Sequence, residues 1–142
     1  MDILDLIADN KLTDPNWALS PRGNFFRFAV FNPDEHSIKG VSGIYVIWHG
    51  GIRSGWVYAA KSADLEADLD RALDNNDIMQ YNDQGGLYVT WALIREEYQD
   101  GVLRYLLQAM KPLIDTPKPP KDGIDPIPVM VPGAKKAAKP PG

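Results

Sequence analysis

The sequence predicts an α+β domain in which a small three-stranded sheet is flanked by helices. Strand-like apolar runs rich in aromatic and β-branched residues occur at 43–49, 56–60 and 87–94. Apolar residues recur at helical spacing after the second and third runs. We therefore expect a ββαβα domain over residues 41–115, an N-terminal helix and extension over residues 1–40, and a proline-rich extended tail over residues 116–142.

Length and cysteine content limit the possible classes of protein. A chain of 142 residues is long enough for one domain with a hydrophobic core. The chain has no cysteine, which excludes disulfides, cysteine-ligated zinc and a thiol nucleophile. The N-terminus lacks the basic region of a signal peptide, and no apolar run approaches the roughly 20 residues that span a bilayer. We expect a cytoplasmic protein with no membrane partner.

Charge is distributed unevenly along the chain. Residues 1–115 hold ten basic against seventeen acidic residues, whereas residues 116–142 hold five lysines against two aspartates. A domain that binds nucleic acid usually has a basic face, because counterion release from the phosphates supplies most of the binding affinity. The acidic domain disfavours nucleic acid as a partner without excluding it.

The N-terminal extension combines a helix, turns and one ambiguous apolar run. An apolar face formed by Ile3, Leu4, Ile7 and Leu12 predicts a short amphipathic helix. The run FFRFAVF at 25–31 is compatible with a strand or with a short buried helix, and its periodicity does not distinguish the two. Residues 32–40 are typical of a loop.

A hairpin is the central prediction. Along 44–49 both alternating sets of residues are largely apolar, which indicates a strand covered on both faces. A second such strand follows at 56–60, and the segment HGGIRSG joins the two.

Two helices follow from capping residues and helical spacing. Ser62 is a candidate N-cap for a helix that buries Leu65, Leu69 and Leu73. Residues 74–86 are expected to be an irregular connection. Asp100 and Gly101 introduce the last helix, which Pro112 stops.

The tail is distinguished by composition. From Thr116 onward it contains eight of the chain's twelve prolines, so we expect an extended segment rather than a helix or central strand. Its apolar residues would lower their free energy on a surface of the domain or of a partner. We predict that the tail docks on a protein partner or a neighbouring subunit of a homo-oligomer, through Ile124, Ile127, Val129, Met130 and Val131.

An ordered series of motifs resembles the GIY-YIG endonuclease superfamily. The series is GIY at 43–45, the second strand ending in YAAKS at 58–62, a helix opening with Asp64-Leu65, and a last helix closing in MKPLID at 110–115. The similarity covers about residues 41–115. It implies a small sheet carrying a site for metal-assisted phosphodiester hydrolysis, in which a divalent metal activates water and offsets negative charge.

Carried over residue by residue, the resemblance retains the two motif tyrosines as Tyr45 and Tyr58. Ala60 replaces the glycine of the second motif. The position of the family's helix arginine falls on Asp68, which would repel a phosphate. The position of the metal-binding glutamate falls at or beside Leu103, and a hydrocarbon side chain cannot coordinate a metal.

Structural interpretations stand beside these functional ones. Tyr45 and Tyr58 are also compatible with aromatic packing, and Asp68 with an ion pair to Arg53, Arg71 or Arg104. His49 is a candidate general base or a turn residue. Lys61 and Ser62 are a candidate phosphate-facing pair, although Ser62 is also a cap. The candidate binding residues are thus Lys61, Ser62, Arg53 and Arg104.

Three functional hypotheses result. The first is a domain that has lost hydrolysis and serves as a binding and assembly module, with no cofactor. The second is an endonuclease that uses Mg²⁺ or Mn²⁺ at a rearranged site built from Tyr45, Tyr58, Asp68 and Glu97. The third is an α+β adaptor of unrelated ancestry.

Overall fold

The computed structural model describes residues 12–50 and 54–134. It is an α+β fold with a four-stranded antiparallel sheet and three α-helices. The strands are β1 (Phe26–Arg27), β2 (Gly43–His49), β3 (Gly55–Ser62) and β4 (Leu87–Ala92), and the helices are α1 (Leu65–Leu73), α2 (Asn76–Met79) and α3 (Glu96–Met110). The predicted helix over residues 1–12 falls almost wholly outside the described residues. In the described part of the chain, no helix is both long enough and apolar enough to cross a membrane.

The sheet has four strands, so the prediction of three was wrong. The strand order is β1-β4-β2-β3. The additional strand is β1, in which Phe26 pairs with Val89 and Arg27 with Tyr88. The ambiguous run at 25–31 therefore contains a short strand followed by a 3-10 turn over Phe28–Val30. A strand of two residues has no period, so no pattern could predict it.

The strand β2 is central and is covered on both faces, as its pattern predicted. On one face Tyr45 and Ile47 pack with Leu65 and Leu69 of α1 in one core cluster. On the other face Ile44 and Val46 pack in a second cluster. The second cluster includes the α3 residues Val102, Leu103, Leu106 and Met110.

Residues before position 40 contribute to both cores. Phe28, Phe31 and Ile38 are buried in the cluster on the α1 side, and Trp17 is buried on the α3 side. The segment predicted as an extension is thus an integral part of the domain, because these side chains fill the interior.

The helix boundaries differ from the predicted ones at three places. Asp64, rather than Ser62, caps α1, since its carboxylate accepts a hydrogen bond from the Ala67 amide. The segment 74–86, predicted to be irregular, contains α2 and a 3-10 turn. The last helix begins at Glu96, earlier than Asp100, and ends at Met110, after which Lys111 adopts a left-handed conformation with φ of 50°.

The tail is extended and packs against its own domain. We call residues 120–132 the strap. Val129 is buried and forms a parallel bridge with Thr13. The Met130 amide donates to the Thr13 carbonyl oxygen (2.8 Å), and the Trp17 indole nitrogen donates to the Met130 carbonyl oxygen (2.7 Å).

A glycine in the middle of α3 allows the strap to approach. The Ile127 amide donates to the carbonyl oxygen of Gly101 (2.9 Å). A Cβ atom at Gly101 would lie 2.6 Å from Cδ1 of Ile127, closer than real Cβ contacts allow. Any larger residue at position 101 would therefore require the side chain of Ile127 to move.

Candidate ligand pocket

A cavity of about 360 Å³ lies beside the edge strand β3, on the α1 side of the sheet. The strand β3, the helices α1 and α2, and the start of the tail all contribute to its wall. The lining residues are Tyr45, Tyr58, Ala60, Lys61, Asp68, Arg71, Ala72, Asn75, Ile78, Thr116, Pro117 and Lys118. We refer to this cavity as the tyrosine pocket.

The two motif tyrosines meet in this pocket because of the register between β2 and β3. Tyr45 lies directly opposite Ala60, and Tyr58 is two residues from Ala60 on the same face of β3. The ring centroids of the two tyrosines are 5.8 Å apart, and the rings are tilted by 43°. The resemblance paired these residues, and the structure brings them together.

Both hydroxyl groups hold their protons firmly. Burial raises the pKa of Tyr45 far above its ordinary value, and the neighbouring Tyr58 and the Asp68 carboxylate raise it further. Burial also raises the pKa of Tyr58, although hydrogen bonding with Tyr45 and Thr116 opposes this. At neutral pH the pair therefore offers neutral hydroxyl groups that donate hydrogen bonds, and neither tyrosine supplies a base.

The charged side chains of the pocket are mostly paired. Asp68 forms an ion pair with Arg71 one turn later on α1, which is one of the three partners predicted for it. Lys61 Nζ lies 2.6 Å from the carboxylate of Asp100 on α3. Lys118 adds a third cation to the wall. The lining thus holds three cations and one anion, in a domain whose overall charge is acidic.

One buried polar atom in the pocket wall is unsatisfied. The hydroxyl oxygen of Thr116 is buried, and no atom of the described residues forms a well-aligned hydrogen bond with it. It lies beside Tyr58, whose pKa its proximity lowers. A buried polar atom without a partner is unusual and calls for a physical reason.

Sequence reasoning missed several lining residues. Arg71 was considered only as a partner for Asp68, and Asn75, Thr116 and Lys118 were not considered. Thr116 and Lys118 reach the pocket because the chain after α3 turns back along β3, with the amide of Ile114 donating to the carbonyl oxygen of Val57 (3.0 Å). Nothing in the local sequence signals that approach.

The remaining predicted binding residues lie elsewhere. The Ser62 hydroxyl oxygen accepts a hydrogen bond from the Asp64 amide (3.0 Å), which stabilises the turn before α1. Arg104 donates to the Lys121 carbonyl oxygen (2.6 Å) and so holds the strap. Arg53 lies outside the described residues.

His49 lies outside the tyrosine pocket, near the far end of β2. Its ring is buried and stacks on Tyr81, with centroids 6.0 Å apart. Nδ1 lies 3.0 Å from the carbonyl oxygen of Gly50. Because a carbonyl oxygen only accepts, Nδ1 carries the proton in this arrangement.

Acidic residues do not converge on the tyrosine pocket. Glu97 is exposed in the first turn of α3, and Leu103 is fully buried in the core on the opposite face of the sheet. Within residues 12–50 and 54–134, no three histidine, aspartate or glutamate side chains are grouped so that they could hold a metal ion. Among the lining residues, Asp68 is the single carboxylate.

Comparison of the chain with protein-family models, with curated proteins and with solved structures finds no significant match.

Proposed function

We propose that this chain is a GIY-YIG-like domain that binds an anionic group in its tyrosine pocket without hydrolysing it, and that it acts as a binding and assembly module. The observation that carries the proposal is the composition of the pocket wall. Two protonated phenol groups and three cations line it; Arg71 is paired with Asp68 and Lys61 with Asp100, so Lys118 is the lining cation that has no ion pair among the described residues.

The donors of the pocket suit an oxyanion such as a phosphate group. Arg71 is largely exposed at its side chain, so its guanidinium can turn from Asp68 toward a bound anion. Charge-assisted hydrogen bonds from arginine and lysine to phosphate are about twice as strong as neutral ones. An anion that also accepts from Thr116 would use a hydroxyl group that otherwise lacks a well-aligned partner.

Hydrolysis lacks support from the same residues. A divalent metal needs several oxygen ligands, whereas the lining supplies one carboxylate that is engaged by a cation. The alternative site drew on Glu97, which lies in the exposed first turn of α3, whereas the pocket is on the α1 side. The pocket can therefore orient an anion, but it has few means of activating water.

Assembly would use the strap. In the chain itself Val129 and Ile127 pack on α3 and on the N-terminal segment, and the residues between α3 and the strap are mainly exposed. Exchange of such a segment between two copies reproduces the same contacts in a dimer at little cost in free energy. The predicted homo-oligomer would form in this way, with each strap on the neighbouring subunit.

Binding is tested by calorimetric titration with inorganic phosphate and pyrophosphate. We expect saturable binding to the wild-type chain, weakened on the order of ten-fold in Lys118→Ala because one charge-assisted contact is lost. Lys121→Ala is the matched control, since Lys121 carries the same charge three residues away and does not line the pocket. Equal binding by all three proteins would contradict the proposal.

Hydrolysis is tested by incubating labelled single-stranded, duplex and branched DNA with Mg²⁺ or Mn²⁺. We expect no cleavage by the wild-type chain. Cleavage that Tyr58→Phe or Glu97→Gln abolishes would establish the nuclease hypothesis instead.

Assembly is tested by size-exclusion chromatography with light scattering. We expect the full chain to form an oligomer that is lost in Val129→Asp and in a chain ending at Asp115. Lys121→Ala again serves as the control. A monomeric full chain would refute exchange of the strap and leave the pocket proposal intact.

A further inference from the structure

A cluster of aromatic rings lies on the α3 face of the sheet, beyond the residues that α3 buries. We call Phe25, Trp48, Trp56 and Tyr88 the aromatic shelf. All four side chains are half-buried. Three of them, with Asn24 and Arg27, line an open cleft of about 530 Å³.

The shelf is held in place by the sheet. Trp48 of β2 pairs with Trp56 of β3 on one side and with Tyr88 of β4 on the other. The rings of Trp48 and Tyr88 are stacked, with centroids 5.9 Å apart and an interplanar angle of 20°. Phe25 meets Trp48 edge-on at 4.9 Å. Such a shelf loses little conformational entropy when a flat ligand binds.

Aromatic clusters usually fill a core, and part of this one does. Trp48 and Trp56 contact the edge of the core cluster on the α3 side. The shelf differs from a core cluster because it lines an open cleft and because Arg27 lies over one of its rings. The Arg27 guanidinium carbon lies 5.3 Å from the centroid of the Tyr88 ring, within the range of a cation–π contact.

The lining of the cleft is cationic, since it includes Arg27 and no acidic residue. No acidic residue occurs in the segments 15–33, 36–63 and 84–95, which contain all four strands and six basic residues. Arg22 and Arg27 flank Asn24 and Phe25 in the first of these segments. The helices carry acidic residues instead, with Glu66, Asp68 and Asp70 on α1, Asp77 on α2, and Glu96, Glu97 and Asp100 on α3.

We propose that the aromatic shelf binds single-stranded nucleic acid by stacking bases on its rings, with Arg22 and Arg27 contacting the phosphates. Sequence-tolerant single-strand binding combines a cationic groove with aromatic side chains, because every base has a flat π face. The net acidity of the domain does not oppose this, since exposed charges beyond about 10 Å are largely screened at ordinary ionic strength.

A proline-rich peptide is the competing occupant of an aromatic groove. The local charge decides between the two. Arg22 and Arg27 attract phosphates, whereas they contribute nothing to binding prolines. We therefore propose nucleic acid as the ligand, and the experiment below also tests a proline-rich peptide.

The test measures fluorescence anisotropy of labelled oligothymidine and oligouridine with the full wild-type chain at low salt. The two probes distinguish DNA from RNA as the source of the strand. We expect binding that weakens as salt rises, quenching of tryptophan fluorescence, and weaker binding of duplex DNA, whose bases are already stacked. No binding of either single strand, or preference for an oligoproline peptide, would overturn the proposal.

Matched variants locate the site. Tyr88→Leu should weaken binding on the order of ten-fold through loss of one stacking ring. Arg27→Ala should reduce the slope of log affinity against log salt by about one. The controls are Tyr98→Leu and Arg95→Ala, which change the same residue types at exposed positions outside the shelf. Equal effects of variants and controls would overturn the proposal.

A measurement on the wild-type chain guards against variants that fail to fold. Photocrosslinking with an oligomer that carries 5-iodouridine should label Trp48 or Tyr88. Labelling of Tyr45 or Tyr58 instead would overturn the proposal. The experiment is independent of the tyrosine pocket, since Lys118→Ala should bind the oligomer as well as the wild-type chain does.

Discussion

The two faces of the sheet are equally apolar in sequence and differ in what completes them. On the α1 face the core opens at its edge into the tyrosine pocket, where charged side chains meet. On the α3 face the core is sealed by the strap, which packs on Gly101 and buries Val129. The comparison teaches that side chains from distant parts of the chain, rather than the strand pattern, decide how the core is covered on each face.

The largest expected effect comes from a glutamate at position 103, where the resemblance would place the metal-binding carboxylate. Leu103→Glu should lower the free energy of unfolding by about 3–5 kcal/mol, because an unpaired carboxylate would be buried in a dry core. Urea unfolding measures the change. Leu103→Met should cost less than about 1.5 kcal/mol, since volume and polarity are kept. A stable Leu103→Glu protein would show that the site is accessible to water.

The second effect tests the packing of the strap against α3. An alanine in the interior of a helix normally stabilises it by about 1 kcal/mol relative to glycine. Gly101→Ala should instead destabilise the protein by roughly 1–3 kcal/mol, because the new methyl group overlaps Ile127.

A double-mutant cycle identifies the cause. In the background of Ile127→Ala the cost of Gly101→Ala should shrink, because the overlapping side-chain atoms of Ile127 are gone. Additive effects of the two substitutions, measured by urea unfolding, would show that the strap does not contact α3 in solution.

The third effect belongs to the tyrosine pocket and appears as a dependence on pH. The pKa of Tyr45 is raised in the folded state above its value of about 10 in an unfolded chain. Above pH 10 the unfolded chain therefore releases a proton that the folded chain retains, and stability falls as pH rises from there.

Thermal unfolding from neutral pH to above pH 10 measures this loss. Tyr45→Phe should cost about 1 kcal/mol at neutral pH through a lost hydrogen bond, and it should flatten the decline above pH 10. Tyr98→Phe, at an exposed position on α3, is the control and should leave the decline unchanged. If the stability of Tyr45→Phe fell as steeply above pH 10 as that of the wild-type chain, ionisation of Tyr45 would not be the cause of the decline.

The smallest effect concerns the end of α3, where the chain leaves one face for the other. Lys111 adopts a left-handed conformation that costs a side-chain-bearing residue about 1 kcal/mol. Lys111→Gly should stabilise the protein by about 0.5–1 kcal/mol in urea unfolding. Lys111→Ala keeps the Cβ atom and should bring no such gain, so equal stabilisation by both would implicate the lost charge.

The sequence predicted those features that follow from local patterns. The apolar character of both alternating sets in β2 predicted that it is covered on both faces, and the register of the hairpin brings Tyr45 and Tyr58 together. The early start of α3 had a signal in Glu96 and Glu97, which are favourable in a first helical turn, but Asp100 and Gly101 were preferred. Ser62 and Asp64 are both capping residues, and only the backbone geometry distinguishes them.

Features that depend on distant contacts were not predictable. The strand β1 is defined by its pairing with β4 rather than by its own residues. Composition indicated that Ile127 and Val129 would dock, but it could not distinguish the chain's own domain from a neighbour. Thr116 and Lys118 belong to the pocket through tertiary folding alone, so no motif contained them.

The parallel bridge between Thr13 and Val129 has a consequence for biosynthesis. The ribosome synthesises Val129 more than a hundred codons after Thr13, so the α3 face of a nascent chain stays uncovered until the strap has been synthesised. Until then Trp17 and the apolar side of α3 form an exposed hydrophobic surface, and chaperones bind surfaces of this kind. Closure of this face therefore waits for the strap, and it is the step at which two newly made chains on one polysome can exchange straps.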